Sequence, residues 1–278
     1  MKQQRLILVT GGSSGIGKEI ARLFLRRGDR VLIVADRAGK LDDAEQELRE
    51  ISPQVSSVVC DIASPDSVAA MANTVLSTYG CPDVLVNNAG FATYELFAHT
   101  APEEIERLAS VNFVGHLRCT RAFLPGMIRA RRGTIVNMAS IAGRVPMAPN
   151  GVYSAAKHGM VAWSETLRHE VHRFGIKVVV VCPGRVPTAF FDHPTFQARQ
   201  AGPETRQLIS AEQVAQVTLR AVDKGQFMVY LPSYYGLMVW MTQVLPFVSR
   251  PLLGRLIRRR TEECYERDGT TPVEVTTP

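Results

Sequence analysis

The chain has 278 residues, of which 46% are hydrophobic and 21% are charged, and its formal net charge at pH 7 is +6. A chain of this length and composition buries one substantial core, which excludes an intrinsically disordered protein and a membrane protein with many spans. The mild excess of basic residues favours anionic ligands such as dinucleotides or lipid headgroups, and an arginine-rich patch near the C-terminus supplies much of it.

Short runs rich in valine and isoleucine alternate with longer segments of helical period. This alternation is typical of βαβ units around a buried parallel sheet. We therefore expect an α/β fold of the Rossmann type over residues 1–231, with a doubly wound parallel seven-stranded sheet in three α/β/α layers. The predicted strands are Arg5–Val9, Val31–Val34, Val55–Cys60, Val84–Val86, Thr134–Met138, Lys177–Cys182 and Phe227–Leu231.

The first run begins at Arg5, so we expect no secretory signal in front of it. The cysteines are odd in number, and none form a CxxC pair or a pattern of metal ligands, which indicates reduced thiols and a cytoplasmic location. The histidines also lack ligand spacing and are expected on exposed or helical surfaces, so no metal site is predicted. These residues are Cys60, Cys81, Cys119, Cys182 and Cys264, and His99, His116, His158, His169, His172 and His193.

The segment TGGSSGIG, residues 10–17, follows the first predicted strand and opens a predicted helix. Its glycines permit a tight turn, close approach of the backbone to a pyrophosphate, and close packing of the helix against the sheet, and the helix N-terminus stabilises phosphate charge. A glycine-rich loop without a ligand is the alternative, which the strand before it and the helix after it disfavour. The residues expected to bind a dinucleotide here are Gly11, Ser13, Ser14, Gly15, Ile16 and Gly17.

Asp36 stands at the end of the second predicted strand, where a carboxylate can accept hydrogen bonds from a ribose 2′-hydroxyl. Arg37 follows immediately and could pair with a 2′-phosphate at the same place. The carboxylate favours NAD(H) over NADP(H), while the arginine keeps NADP(H) open. The alternative is that Asp36 caps a turn and that Arg37 is solvated.

The segment 151–171 has helical period, and on it Tyr153 and Lys157 project from one face at i and i+4. A phenol needs a nearby cation to transfer protons near neutral pH, and Lys157 could supply it. The spacing alone also fits a coincidental surface pair. Ser140 follows the fifth predicted strand, where parallel sheets place their ligands, and Asn112 lies in a segment of helical period that disfavours asparagine.

Together these motifs resemble the short-chain dehydrogenase/reductase family over residues 5–231. The resemblance rests on TGGSSGIG, NNAG (87–90), Asn112, Ser140, Tyr153-x-x-x-Lys157 and PGRVPT (183–188), which occur in the family's order and spacing. It implies that Tyr153 is the general acid/base, that Lys157 lowers its pKa and holds the nicotinamide ribose, that Ser140 orients the carbonyl, and that Asn112 positions a proton-relaying water.

The resemblance also implies a set of cofactor contacts beyond the glycine loop. Thr188 would bind the nicotinamide carboxamide and Asp61 the adenine, with residues 88–90 lying under the cofactor. The full implied set adds Asp36, Arg37, Asp61, Ile62, Asn88, Ala89, Gly90, Tyr153, Lys157, Pro183, Gly184, Val186 and Thr188 to the loop. The resemblance further implies a homodimer or homotetramer through helices near 102–131 and 151–174.

The predicted substrate is a hydrophobic secondary alcohol or ketone, such as a steroid, an acyl ketone or a retinoid, because the residues next to the motif ends are apolar and include no obvious charged anchor. The predicted wall residues are Phe91, Val145, Met147, Phe190 and Phe191, and the long proline-rich connection 183–210 is expected to serve as a substrate loop. One alternative is an NADPH-dependent reductase of the 3-ketodihydrosphingosine or 3-oxoacyl type, because residues 204–215 resemble the matching region of 3-ketodihydrosphingosine reductases. Another is a sensor that binds the dinucleotide without turnover.

Residues 232–278 form a C-terminal extension in which an apolar run, Gly236–Val248, precedes a cluster of arginines. The run is too short to span a bilayer, but apolar residues beside arginines are typical of a helix at a membrane surface. We expect membrane-surface contact through 233–260, or a helix docked on the pocket mouth or on a partner subunit. No nucleic-acid partner is predicted. The arginines are Arg250, Arg255, Arg258, Arg259 and Arg260.

Overall fold

A computed structural model describes residues 4–191, 193–197 and 209–267. Seven parallel strands form one sheet in the order β3-β2-β1-β4-β5-β6-β7. The strands are β1 Leu6–Thr10, β2 Arg30–Ala35, β3 Val55–Val59, β4 Val84–Asn87, β5 Gly133–Met138, β6 Ile176–Pro183 and β7 Met228–Leu231. The seven predicted strands are confirmed, and each of their ends lies within one residue of the prediction. The small differences arise because a hydrophobic run does not mark the last hydrogen bond of a strand.

Helices cover both faces of the sheet. They are α1 Gly15–Arg26, α2 Ala38–Arg49, α3 Pro65–Thr78, α4 Pro102–Ala109, α5 Gly115–Ala130, α6 Gly151–Val171, α7 Pro194–Gln197, α8 Ala211–Lys224, α9 Tyr234–Val244 and α10 Pro246–Arg267. Apolar residues of α1, α2 and α8 pack on one face of the sheet and those of α3, α5 and α6 on the other. The three-layer α/β/α architecture predicted from the sequence is therefore confirmed.

Successive side chains along each strand point alternately into the two hydrophobic cores, one on each face of the sheet. In β1, Ile7 and Val9 join one cluster while Leu6 and Leu8 join the other, and all four are buried. Strands buried on both faces read as continuous apolar runs, which is why the sequence shows them so plainly. The order of the strands reverses between β1 and β4, and this switch point opens a crevice at the carboxyl edge of the sheet.

The segment between α4 and α5 is a π-helical turn, Ser110–Val114. The sequence predicts a plain helix here and marks Asn112 as out of place in it. The structure explains why an asparagine occurs here, because it lies in a π turn and not in a regular α-helix. Such turns are frequent at functional sites and direct side chains differently from a regular helix.

The extension forms two helices instead of one apolar element, because Leu245 leaves the helical conformation and Pro246 opens α10. In the part of the chain that the structure describes, none of the helices has both the length and the apolar character needed to cross a bilayer. Residues 268–278 lie outside the described residues, as do residue 192 and residues 198–208 of the predicted substrate loop.

Candidate active site

A cleft of about 810 Å³ lies over the carboxyl edge of the sheet, at the switch point between β1 and β4. It is bounded by the loops that follow β1, β2, β3, β4, β5 and β6. Open parallel sheets bind ligands in this position. Of the predicted site residues, all line the cleft except Gly17 and Asn112, which lie directly behind its wall.

The glycine loop brings β1 and α1 together without room for side chains. Gly11 has φ +66°, and a Cβ added there would lie 2.8 Å from the Cα of Ala89. At Gly17 an added Cβ would lie 2.1 Å from the carbonyl oxygen of Gly11. Gly17 therefore serves the packing of helix against loop, while the other loop residues face the cleft. The resulting cradle, at a helix N-terminus, fits the pyrophosphate of a dinucleotide.

Asn88 fastens this loop to the neighbouring strand end. Its Nδ2 donates to the carbonyl oxygens of Thr10 at 3.1 Å and Gly11 at 3.2 Å, and its backbone N–H donates to Thr10 Oγ1 at 3.0 Å. The Asn88 side chain thus holds the glycine loop in shape. The sequence assigns Asn88 to cofactor contact, and the structure adds this internal role.

Charges gather at the end of the cleft beyond β2 and β3. Arg107 of α4 donates to Asp61 at 2.7 Å and lies 4.0 Å from Asp36, while Arg37 lies 3.8 Å from Asp36. Burial raises the pKa of Asp61, but hydrogen bonds from Arg107 and from the Ala63 N–H outweigh that effect and hold the pKa below its ordinary value. Arg107 was missed by sequence reasoning, because no local motif marks it.

Ser140, Tyr153 and Lys157 converge at the other end of the cleft. Ser140 lies two residues after the end of β5, and its hydroxyl is near enough to Tyr153 to act on the pKa of the phenol. Tyr153 and Lys157 come from successive turns of α6, with the Lys157 Nζ 5.7 Å from the centre of the Tyr153 ring. The Lys157 ammonium also donates to the carbonyl oxygen of Met138 at 2.9 Å. A phenol, a hydroxyl and an ammonium therefore share one corner of the cleft.

Burial dominates the acidity of these groups. It raises the pKa of Tyr153 to about 12, against a lowering by the Ser140 hydroxyl. It lowers the pKa of Lys157 to about 8. The predicted lowering of the phenol's pKa by Lys157 is not seen. Desolvation raises this pKa by more than the Ser140 hydroxyl lowers it, and the Lys157 ammonium is directed towards Met138.

Asn112 sits behind Gly90 and is fully buried. Its Nδ2 donates to the carbonyl oxygens of Phe91 at 2.8 Å and Leu108 at 3.0 Å, while its Oδ1 has no hydrogen-bond partner among the described residues. A Cβ added at Gly90 would lie 2.7 Å from that oxygen and 3.7 Å from the Lys157 Nζ. Asn112 and Lys157 thus approach each other around Gly90, where only a glycine fits.

Aromatic rings form the wall beyond Tyr153. Phe190 lies 5.6 Å from Tyr153 between ring centres, Phe191 lies 5.2 Å from Phe190, and Phe196 lies 5.1 Å from Phe191. Four of the predicted wall residues line the cleft, namely Phe91, Met147, Phe190 and Phe191. Val145 does not: it is buried, and its position next to a motif end misled the sequence prediction.

The cleft also has lining residues that the sequence did not indicate. Arg185, Glu104 and His193 line it, so the expectation of a wall without charged groups is wrong. The Arg185 guanidinium lies 5.0 Å from the centre of the Phe191 ring. Four aromatic residues complete the wall from elsewhere in the chain: Tyr94, Phe196, Tyr234 and Tyr235.

His116 departs from its predicted surface position. It is fully buried on α5, and burial together with the charge of Lys157 lowers its pKa to about 3. A neutral imidazole is expected there at physiological pH. Across the described ranges, 4–191, 193–197 and 209–267, His, Cys, Asp and Glu do not gather in a group of three that could hold a metal ion.

Residues 5–197 match the short chain dehydrogenase family. The chain belongs to this family. It is therefore an oxidoreductase, and its cofactor is NAD(H) or NADP(H). The family assignment made from the sequence motifs is confirmed.

Two relatives illustrate the range of similar proteins. "Dehydrogenase/reductase SDR family member 7B" of Bos taurus is 35% identical over 189 residues, which cover 66% of this chain and 58% of that protein. A "Putative ketoacyl reductase" of Streptomyces coelicolor is 38% identical over 189 residues, covering 67% of this chain and 72% of that protein. The matched region thus spans little more than half the length of the bovine short-chain dehydrogenase.

Two solved structures share the fold closely. A variant of actinorhodin polyketide ketoreductase with NADPH has a TM-score of 0.77 and 31% identity, covering 84% of this chain and 97% of that one. A short-chain dehydrogenase of Sphingobium yanoikuyae in complex with NADPH has a TM-score of 0.77 and 26% identity, covering 90% of this chain and 95% of that one.

Proposed function

We propose that this short-chain dehydrogenase interconverts a hydrophobic secondary alcohol and the corresponding ketone, with Ser140, Tyr153, Lys157 and Asn112 as its catalytic tetrad. The observation that carries the proposal is that Ser140, Tyr153 and Lys157 line one corner of the cleft, where the Ser140 hydroxyl lowers the pKa of the Tyr153 phenol against the effect of burial. Bound NAD(P)(H) supplies or accepts the hydride. The cofactor fits because the glycine loop leaves its cradle free of side chains.

Tyr153 and Ser140 act on the substrate oxygen. A phenol whose pKa is about 12 holds its proton at pH 7 and can donate it to the oxygen of a ketone as that oxygen gains charge. Ser140 donates a second hydrogen bond to the same oxygen and fixes its direction. These properties favour reduction, in which Tyr153 is the acid.

Lys157 and Asn112 help to replace the proton that Tyr153 donates to the substrate. A lysine whose pKa is about 8 exchanges protons readily near neutral pH. The Asn112 oxygen that has no partner among the described residues points to the region of Gly90 and Lys157. We assign Asn112 to hold a water there, which returns a proton to Lys157 and onward to Tyr153.

The substrate class proposed is a lipid-like ketone, and an acyl ketone of the 3-oxoacyl type is favoured over a steroid. The aromatic wall from Phe190 to Phe196 supports an apolar chain. Arg185 beside Phe191 offers a place for an anionic or polar group of the same molecule. The similarity to a "Putative ketoacyl reductase" at 38% identity and to a polyketide ketoreductase at 31% identity supports this choice. A 3-ketodihydrosphingosine-type reductase fits the same wall and is the second candidate.

The preference between the two cofactors is set by charge around Asp36. Its carboxylate favours the ribose hydroxyls of NAD(H), as the sequence suggests. Arg37 and Arg107 near it, at 3.8 and 4.0 Å, supply positive charge for a 2′-phosphate. We propose that the cleft prefers NAD(H) but accepts NADP(H). A sensor without turnover is disfavoured, because binding alone needs neither the phenol nor the Ser140 hydroxyl.

We also propose a homodimer or homotetramer built through helices near 102–131 and 151–174, and a cytoplasmic protein in contact with a membrane surface through residues 233–260. The oligomer rests on membership of the family, and light scattering of the purified protein tests it. The membrane contact rests on the apolar and basic composition of that segment.

The activity is tested by following the absorbance of reduced nicotinamide with 3-oxoacyl thioesters, sphingoid ketones and steroid ketones. Tyr153→Phe removes the proton donor and is expected to lower kcat/KM by a factor on the order of 10² to 10⁴. Tyr79→Phe, at the C-terminal end of α3 and outside the cleft lining, is the matched control and should retain activity. Unchanged turnover in Tyr153→Phe would refute the proposed mechanism.

A further inference from the structure

Exposed apolar side chains concentrate on the last two helices. Nine of the twelve large apolar residues exposed in the described part of the chain lie between 234 and 252. Phe247 is 92% exposed, Leu252 61% and Trp240 54%. We call this set the C-terminal surface, and its members are Tyr234, Leu237, Trp240, Met241, Val244, Leu245, Phe247, Val248 and Leu252. Apolar residues gathered in one patch mark an interaction site, whereas single ones do not.

The C-terminal surface has a defined inner side that fixes its orientation. Val239 of α9 is buried, and a Cβ added at Gly236 would lie 3.3 Å from the Tyr230 ring of β7. Helix α9 therefore packs on the end of the sheet with one face, and Leu237 and Trp240 belong to the other. The outward apolar residues are thus held in place by the fold.

Up to residue 261, the charge beside this surface has a single sign. No Asp or Glu occurs from residue 224 to residue 261, while five arginines lie between 250 and 260. Among these, Arg255 and Arg258 are exposed on α10. A tryptophan and a phenylalanine next to arginines match the interface of a bilayer with anionic headgroups, where the rings enter the acyl boundary and the guanidinium groups meet phosphate.

The C-terminal surface is also continuous with the cleft. Tyr234 and Tyr235, at the start of α9, line the cleft, and a Cβ added at Gly184 would lie 2.7 Å from the Tyr235 ring. An apolar molecule that leaves a bilayer at α9 therefore reaches the cleft past these two tyrosines. This consequence rests on the proposed function, which requires a lipid-like substrate.

We infer that the C-terminal surface binds an anionic lipid bilayer and lets a lipid-like substrate enter the cleft from the membrane. A second copy of the chain on the same surface is disfavoured, because residues 224–261 contain no carboxylate that could pair with the arginines of another copy. Full insertion is also disfavoured, because Thr242 and the exposed Gln243 interrupt the apolar run. The surface lies on the membrane and does not cross it.

Vesicle flotation of the full chain tests this inference, with phosphatidylcholine vesicles compared to vesicles that also contain phosphatidylglycerol. The native protein should float with the anionic vesicles and largely dissociate at high salt. Trp240→Ser combined with Phe247→Ser should lower the bound fraction about tenfold. Phe97→Ser removes an aromatic residue that is 69% exposed elsewhere and should float like the native protein. Thermal unfolding and dinucleotide binding verify that each variant is folded.

A spectroscopic readout gives an independent measure. Trp163→Phe leaves Trp240 as the one tryptophan of the chain, and its emission should shift to the blue on anionic vesicles. The inference is overturned if the native protein fails to float or if the double variant floats equally well. It is also overturned if light scattering shows that the native protein is a dimer and the double variant a monomer, because the surface would then be a subunit interface. Turnover of a water-soluble ketone without vesicles is measured in parallel, so failure of the proposed function shows separately from failure of membrane binding.

Discussion

The guanidinium of Arg107 donates a 2.7 Å hydrogen bond to the carboxylate of Asp61 and so joins α4 to the segment that follows β3. The same guanidinium lies 4.0 Å from Asp36. Two carboxylates would otherwise leave this end of the cleft negative. Arg107 therefore decides how much negative charge an incoming nucleotide meets.

Replacing Arg107 by glutamine is expected to weaken NADPH binding about tenfold, because a 2′-phosphate loses a charge-assisted hydrogen bond and faces an Asp61 carboxylate that has lost its arginine partner. NADH binding should change much less, since a ribose hydroxyl carries no charge. The dissociation constants are measured by quenching of protein fluorescence with each reduced dinucleotide.

Arg121→Gln is the matched control, because Arg121 is an exposed arginine of α5 that does not line the cleft. It should leave both dissociation constants unchanged. The reciprocal variant, Asp36→Asn, should tighten NADPH binding. Equal loss of NADH and NADPH affinity in Arg107→Gln would contradict a role in discrimination and leave only a structural one.

The glycine cradle makes a second prediction. Gly17→Ala places a methyl group 2.1 Å from the carbonyl oxygen of Gly11, so α1 must move away from the loop. We expect a loss of stability on the order of 1–3 kcal/mol and at least about tenfold weaker dinucleotide binding. Urea unfolding and fluorescence titration measure the two effects.

Gly39→Ala provides the comparison for this variant. Gly39 lies inside α2 with no atom within 4 Å of an added Cβ, and alanine is the better helix former by up to about 1 kcal/mol. The control should therefore be neutral or more stable and should bind the dinucleotide normally. If Gly17→Ala bound as tightly as Gly39→Ala, the close approach of helix and loop would have no bearing on the cofactor.

Much of the fold and of the candidate site was predictable, because it depends on patterns that are local in the sequence. Strands buried on both faces give continuous apolar runs, the glycine loop needs glycines at fixed spacing, and Tyr153 and Lys157 share a helical face whatever surrounds them. Arg107 was not predictable, since its meaning depends on α4 passing over the ends of β2 and β3. Val145 was placed wrongly because adjacency to a motif does not say which side of a wall a side chain takes, and His116 because a lack of ligand spacing does not say whether a histidine is buried.

Lys157 makes the third prediction, which concerns stability and pH. Burial lowers its pKa from 10.5 to about 8, so between these values the unfolded chain binds more protons than the folded one. The contribution of Lys157 to the free energy of unfolding therefore rises with pH across this range and is lowest below pH 8. At neutral pH the buried Lys157 ammonium therefore lowers the free energy of unfolding of the native protein. This is also the pH range in which the proposed mechanism uses Lys157 for proton transfer.

Lys157→Met removes this titration, whereas Tyr153, whose pKa is raised, remains in both proteins and cancels in the comparison. The loss of the bond to Met138 adds an offset that does not vary with pH. The free energy of unfolding of the variant minus that of the native protein should therefore fall between pH 8 and pH 10.5, by on the order of 3 kcal/mol in total. Urea unfolding at a series of pH values measures the difference directly. A difference that stays constant or grows across that range would show that the ammonium is not desolvated in the folded protein, and Lys157 would then lack the near-neutral acidity on which its part in proton transfer depends.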